Sequence, residues 1–490
     1  MNYYIGLDLG TSGVKAVVFD SNGNVMDSHL EEYDIISPKP GYAEQNPNIW
    51  LSATIKVLAH IGMLDIASDI KGIGLSGQMH GLVLLDKDDN VLRNSIIWCD
   101  NRTAKEAKEI EDTVGLDNLK RITGNIAMPA FTLAKLLWVK NNEPDIYNRI
   151  DKVMLPKDYI AYKLTSKFNA EYSDASGMQV LDINSLEYSK ELLDMFNIPV
   201  SWFGPLIKSD DIRGYLNPDV ALKTGLENVF VCGGAGDQAA GAVGNGIIAG
   251  TDASIVLGSS GVVYSPTNKL FIAPNGEVQT FSTAIYGKYH VMGVTNGCGT
   301  SLKWLRDTQY NLEYNKMTEL AEAIPCGSNQ LYYLPYLMGE RTPILDTDAK
   351  GVFFGIKNTT TKGEMIRSVM EGVGYSIKDC FELVPKDVSR ILISGGGAKS
   401  KLYCQIIASM IKRPVIQIKQ DEGPSLGAAI LAMSANKEYP SIEAACNAII
   451  ETNDITYPIE EWSNIYDKGY KIYKKIYDNT KNIFKEIKEI

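Results

Sequence analysis

The hexapeptide Leu9-Gly10-Thr11-Ser12-Gly13-Val14 recurs, with a single Thr-to-Ser change, as Leu257-Gly258-Ser259-Ser260-Gly261-Val262, about half a chain further on. Each copy lies between strand-forming runs, residues 3–9 and 14–19 around the first, residues 253–257 and 262–264 around the second. Each therefore reads as a tight β-hairpin. A turn of glycine and hydroxyl residues lets the backbone approach an anion closely and offers it N–H and O–H donors. Two such turns at this separation point to two related domains, each carrying one phosphate-binding hairpin.

Length agrees, since 490 residues exceed what one hydrophobic core usually serves. The flanking pattern agrees too. Residues 25–33 continue as a third strand, 46–64 have helical periodicity with Pro47 near the start, and 70–75 form a short apolar strand. After the second hairpin, strand-like 289–294 and helix-like 301–307 resume the order. The expectation is two mixed α/β domains. The glycine-rich break at 244–251 places their boundary, giving 1–245 and 246–490.

A net charge of −11 excludes a general nucleic-acid or anionic-membrane surface, so a phosphate ligand must be held by backbone amides and a bound cation. No run of about 18 apolar residues suggests a membrane span. The opening residues enter a strand directly, which predicts no export leader. The seven cysteines form no CxxC pair and read as free thiols in a reducing, cytoplasmic compartment.

Five further segments could carry chemistry. Asp8 ends the first strand, within reach of a cation on phosphates held by the hairpin. Asp237 follows Gly233-Gly234-Ala235-Gly236 at a helix start, where it is either an N-cap or a base that orients a substrate hydroxyl. Gln78, Met79 and His80 stand between Gly77 and Gly81, a strand-end loop that presents polar groups as a sugar pocket requires. Trp98, Asp100 and Arg102 add an aromatic face, a carboxylate and a guanidinium, suited to a polyhydroxylated ligand or to a solvated helix start. Late in the chain, strand 390–394 runs into Gly395-Gly396-Gly397-Ala398-Lys399-Ser400 and then a helix, a plan that seats nucleotide phosphates. The GxxxxGK[ST] spacing of a P-loop is not met there. Residues 460–490 read as an amphipathic closing helix that packs on the second domain and permits a homodimer without requiring one.

Together these residues resemble the FGGY carbohydrate kinases, within the actin, hexokinase and Hsp70 ATPase superfamily. One family signature is similar to Phe131-Thr132-Leu133-Ala134-Lys135-Leu136 and its continuation to Asn142, with Ala130 departing at the first position. A second is similar to Gly351-Val352-Phe353-Phe354-Gly355-Ile356 with residues 364–371. The loop Ser76 to Val83, with Leu155-Pro156-Lys157-Asp158-Tyr159 and Ser173-Asp174-Ala175-Ser176-Gly177, is most similar to the branch that phosphorylates D-xylulose. The resemblance implies two ribonuclease-H-like domains flanking a deep cleft, with ATP and Mg²⁺ as cofactors and a small sugar as substrate. It implies Asp237 as catalytic base and Asp8 as an acid of the phosphate and metal region, both near Mg²⁺. Gln78, Met79, His80, Asp100 and Arg102 would face the sugar. Gly10, Thr11, Ser12, Gly13, Lys15, Gly258, Ser259, Ser260 and Gly261 would face the phosphates, and Gly395, Gly396, Gly397 and Ser400 the adenosine side. Ribulose, gluconate or glycerol as acceptor, or a regulatory ATPase with none, remain the alternatives.

Overall fold

The computed structural model of the chain describes residues 1–385, 387–419 and 422–488, with Lys488 described by its backbone alone. Residues 489 and 490 of the expected closing helix lie outside the described residues.

The first sheet begins as an antiparallel meander of Tyr3–Leu9, Gly13–Asp20 and Val25–Glu32. Ile70–Gly77 then adds parallel to Tyr3–Leu9, Phe230–Cys232 adds parallel to that, and Ile212–Tyr215 closes the edge antiparallel. In the second sheet Asp252–Leu257, Gly261–Thr267 and Tyr289–Thr295 form the meander. Arg390–Ser394 and Val415–Ile418 follow parallel, and Thr452–Thr456 lies antiparallel at the edge. Both sheets thus share one ribonuclease-H-like plan. A short strand, Gln279–Ser282, extends the second meander and was not expected from sequence. The helix expected over 301–307 begins earlier, as Cys298–Leu305, and runs on into a π-helical turn, Arg306–Tyr310.

Burial explains the strand patterns. Tyr3–Leu9 and Ile70–Gly77 lie inside the sheet and are almost continuously buried, whereas the edge strand Val25–Glu32 exposes every other residue. Helix Pro47–Gly62 starts where the Asn46 side chain accepts from the Asn48 N–H at 2.9 Å, and it buries Trp50, Val57, Leu58 and Ile61 against this sheet. Helix Glu460–Lys488 buries Tyr466, Tyr473, Ile476 and Phe484 in the core of the second half.

Several contacts join the halves. Helix Gly423–Ala435 comes from the second half of the chain yet lies on the first sheet, sharing a core with Tyr4, Val17 and Phe19. It crosses Asp237–Gly244 backbone to backbone: a Cβ on Gly427 would sit 1.8 Å from the Ala240 carbonyl, and one on Gly74 1.7 Å from that of Ala428. Only glycine fits at either crossing. On the far side of the cleft, Asn125 exchanges two hydrogen bonds with the Thr280 backbone, at 2.7 and 2.9 Å. Ser176 Oγ accepts from the Ser282 N–H at 3.1 Å, and the rings of Phe131 and Phe281 meet at 6.0 Å. The chain therefore forms two jaws, jointed at glycine crossings and touching at the mouth. Among the described residues no helix is long and apolar enough to cross a membrane.

Candidate active site

Strand register brings the two acids together. Asp8 lies opposite Lys15 across the first hairpin and beside Ser76 in the parallel neighbour, while Ala235–Gly236 pairs with Ser76–Gly77. Asp237 follows as the first residue of its helix, so Gly236 holds the cap position and the aspartate is not an N-cap. Asp8, the 78–80 loop and Asp237 thus share the carboxyl ends of adjacent parallel strands, where α/β sheets place their ligands. Asp8 Oδ1 is buried and has no hydrogen-bond partner among the described residues. Burial raises the pKa of both acids; the Asp8 charge adds to it at Asp237, which is pushed up to about 7. An orphaned carboxylate oxygen beside a second acid fits a hard cation held by one or two carboxylates and by phosphate oxygens. No group of three or more His, Cys, Asp or Glu among the described residues is arranged to hold a metal unaided.

The loop after Ile70–Gly77 is fixed from several sides. The Gln78 N–H donates to Leu9 O, and its amide donates to Gln45 Oε1 at 2.9 Å. Gln45 in turn donates to Thr11 O in the first hairpin at 2.7 Å. Met79 packs against Gly236, where a Cβ would come within 2.9 Å of Met79 Cγ. His80 adopts φ 67°, an uncommon value for a side-chain-bearing residue. The buried Lys135 ammonium holds it there, donating to His80 O at 2.7 Å and to Ala130 O at 2.6 Å. Burial, reinforced by Lys135, lowers the His80 pKa to about 3, so the ring is neutral. His80 Nδ1 lies 2.8 Å from Gly177 O; a carbonyl only accepts, so Nδ1 carries the proton and Nε2 is an acceptor.

The second hairpin abuts a helix start: the Gly299 N–H donates to Gly258 O at 2.8 Å and the Thr300 N–H to Ser259 O at 3.1 Å. The glycine turn Gly395–Gly397 leaves the adjacent parallel strand, Gly395 at φ 87°, and Ser400 caps the next helix by accepting from the Tyr403 N–H. Beside this turn lies a cavity of about 200 Å³ lined by Ser394, Gly395, Lys399, Gln417, Lys419 and Asn453.

Asp100, Arg102 and Lys15, expected at the ligands, are ion-paired within the protein. Asp100, 1% exposed, receives the Arg102 guanidinium at 2.7 to 3.0 Å and the Ala43 N–H at 2.5 Å. Arg102 also reaches Glu44 at 2.7 Å and stacks on Tyr42, 3.8 Å from the ring centre. The pair thus forms an inward ion-pair network that braces the wall. Lys15 pairs with Glu422 at 2.6 Å, tying the first hairpin to the start of the jointing helix. Sequence reasoning missed Gln45 and the buried charges behind Asp237, where Lys157 lies 2.9 Å from Asp158 and 3.7 Å from both Glu171 and Asp174. Ser173 Oγ accepts from the Gly236 N–H at 3.2 Å, coupling that cluster to the Asp237 turn. Lys157, Asp158, Ser173 and Asp174 all fall in segments that carried the family resemblance.

The chain is similar over its whole length to known proteins. A xylulose kinase of Bacillus subtilis is 38% identical over 490 aligned residues, covering 99% of this chain and 98% of the relative. A solved, ligand-bound xylulose kinase from Lactobacillus acidophilus superposes with TM-score 0.95 at 26% identity, covering 99% and 100% of the two chains. A gluconate kinase from the same organism superposes equally well, at 0.95 and 26%, covering 99% of each. The fold is thus shared by kinases with different acceptors. Residues 3–244 match the N-terminal domain and 253–436 the C-terminal domain of one family, and the chain belongs to the FGGY family of carbohydrate kinases, ATP-dependent enzymes that phosphorylate sugars.

Proposed function

We propose that the enzyme transfers the γ-phosphoryl group of ATP to the terminal hydroxyl of D-xylulose, giving D-xylulose 5-phosphate and ADP. The observation that carries this is the convergence of Asp8, Asp237 and the His80 loop at the ends of three paired strands. The full-length likeness to a xylulose kinase favours this acceptor over gluconate, ribulose or glycerol. Residues 1–245 and 246–490 act as the two jaws, each with one hairpin. Gln78, Met79 and His80 seat the sugar, and Asp100 with Arg102 supports them from behind. Asp237, pushed up to about 7, accepts the proton of the attacking hydroxyl near neutral pH. The N–H and hydroxyl groups of Gly10 to Gly13 and Gly258 to Gly261 donate to the phosphate oxygens as charge shifts between them. Gly395 to Gly397 and Ser400 border the adenosine. Asp8 and Asp237 would hold Mg²⁺, which supplies charge neutralisation on the phosphates. Closure across Asn125 and Thr280 excludes water and limits wasteful hydrolysis of ATP.

ADP release with D-xylulose, D-ribulose, L-ribulose, gluconate and glycerol tests the reading. D-xylulose is expected to give the highest kcat/KM; a higher value for any other acceptor, or ATP hydrolysis indifferent to all five, contradicts it.

A further inference from the structure

Across the mouth of the cleft from the His80 loop, the second jaw carries Arg341. Its loop is pinned to the end of Tyr289–Thr295. Glu340 accepts from Thr295 Oγ1 at 2.5 Å, the Asn296 N–H at 2.8 Å and the Arg341 N–H at 2.7 Å. Thr342 donates its N–H to Val294 O at 3.0 Å and accepts from the Val294 N–H at 3.1 Å. Val294 packs with Phe131 and Phe281, whose rings lie 5.0 and 5.7 Å from the His80 ring. Arg341 therefore enters beside His80, near enough for its charge to act on the imidazole.

Among the described residues the guanidinium makes no hydrogen bond or ion pair. It is partly buried, and the adjacent Glu340 carboxylate is engaged by the loop itself. A guanidinium drawn out of water without an acceptor is costly, and a ligand oxygen would offset that cost. The two jaws then face each other with complementary groups: His80 Nε2, an acceptor, and Arg341, a pure donor.

A 2-ketopentose matches this pair. Its ring can close only through the 5-hydroxyl, so the form that can be phosphorylated there is the open chain, which exposes a C2 carbonyl beside a C1 hydroxyl. We infer that Arg341 is the second jaw's contact with the sugar, donating to the C2 carbonyl oxygen while His80 accepts from the C1 hydroxyl. The sugar would then bridge the jaws at the end remote from the transferred phosphoryl group. This rests on the proposed function and adds a basis for preferring ketoses to polyols.

Arg341→Gln and Arg341→Lys test it, with KM for D-xylulose, KM for ATP and the inhibition constant of xylitol, the polyol that lacks the carbonyl, as readouts. The glutamine variant should raise KM for D-xylulose about 10- to 100-fold, as for a lost charge-assisted hydrogen bond. KM for ATP should stay within about 2-fold, and xylitol inhibition should weaken less than D-xylulose binding. The lysine variant, which keeps the charge, should fall between and carries the measurement if the glutamine variant misfolds. A folded variant with unmoved KM for D-xylulose, an equal loss for xylitol, or a parallel rise in KM for ATP overturns the inference; the last would assign the guanidinium to phosphate. Wild-type enzyme that does not turn over D-xylulose overturns the proposed function itself.

Discussion

At the scale of single residues, Asp237, the proposed base, would couple activity to stability. Its folded pKa of about 7 stands above the ordinary carboxylate value near 4. Between those values the folded state holds a proton that the unfolded chain has lost. The stability it contributes is fully present below about pH 4 and is lost as pH rises through about 7, at roughly 1.4 kcal/mol per pH unit. Asp237→Asn should therefore melt at or above the wild-type temperature at pH 8 in ligand-free enzyme, while losing at least about 10²-fold in kcat. The wild-type kcat/KM profile should climb through about pH 7 as the base loses its proton. Lys135 makes a second case. Removing its ammonium in Lys135→Met leaves the Ala130 carbonyl unpaired and the His80 carbonyl with Thr132 Oγ1 alone, an expected loss of about 1–3 kcal/mol in urea unfolding together with a raised KM for sugar. Asp8 and Asp237 were legible in the sequence because strand ends and glycine turns fix where they stand. Arg341 was not, since its place depends on a loop pinned to a strand almost fifty residues earlier, and nothing local announces that. Asp100 and Arg102 were legible as a charged pair, but adjacency in sequence did not say that they would satisfy each other.

At the scale of elements, the joint between the jaws is a crossing of two helices over a sheet. Gly427→Ala would push a methyl into the Ala240 carbonyl, and the helix Gly423–Ala435 cannot retreat because Gly74 already sits under the Ala428 carbonyl. The expected cost is about 1–3 kcal/mol, read as a lowered Tm, with sugar and ATP affinities both weakened because hairpin and jointing helix are tied through Lys15 and Glu422. The hairpins and most strands of both sheets followed from β-branched runs bounded by glycine. The seating of helix Gly423–Ala435 on the first sheet did not, because it pairs surfaces more than three hundred residues apart. Its unusually small residues, Gly423, Ser425, Gly427, Ala428 and Ala429, are the one local sign that two backbones must come close there.

At the scale of the whole molecule, the proposed function has closing of the jaws couple sugar binding to phosphoryl transfer. Asn125→Ala deletes both hydrogen bonds to the Thr280 backbone while leaving the hairpins, Asp8 and Asp237 in place. The ratio of ATP hydrolysed to sugar phosphorylated should rise in this variant, measured as ADP released against sugar phosphate formed, because water reaches the phosphates more often. The doubled hexapeptide is what made two jaws legible at the outset, since each copy is the turn of the first hairpin in its own sheet. The most direct test of the account is the product itself, examined by ³¹P and ¹H NMR after incubation with ATP and D-xylulose. The account predicts one phosphate ester whose phosphorus couples to the C5 methylene protons; an ester at any other hydroxyl, or no sugar phosphate at all, would contradict it.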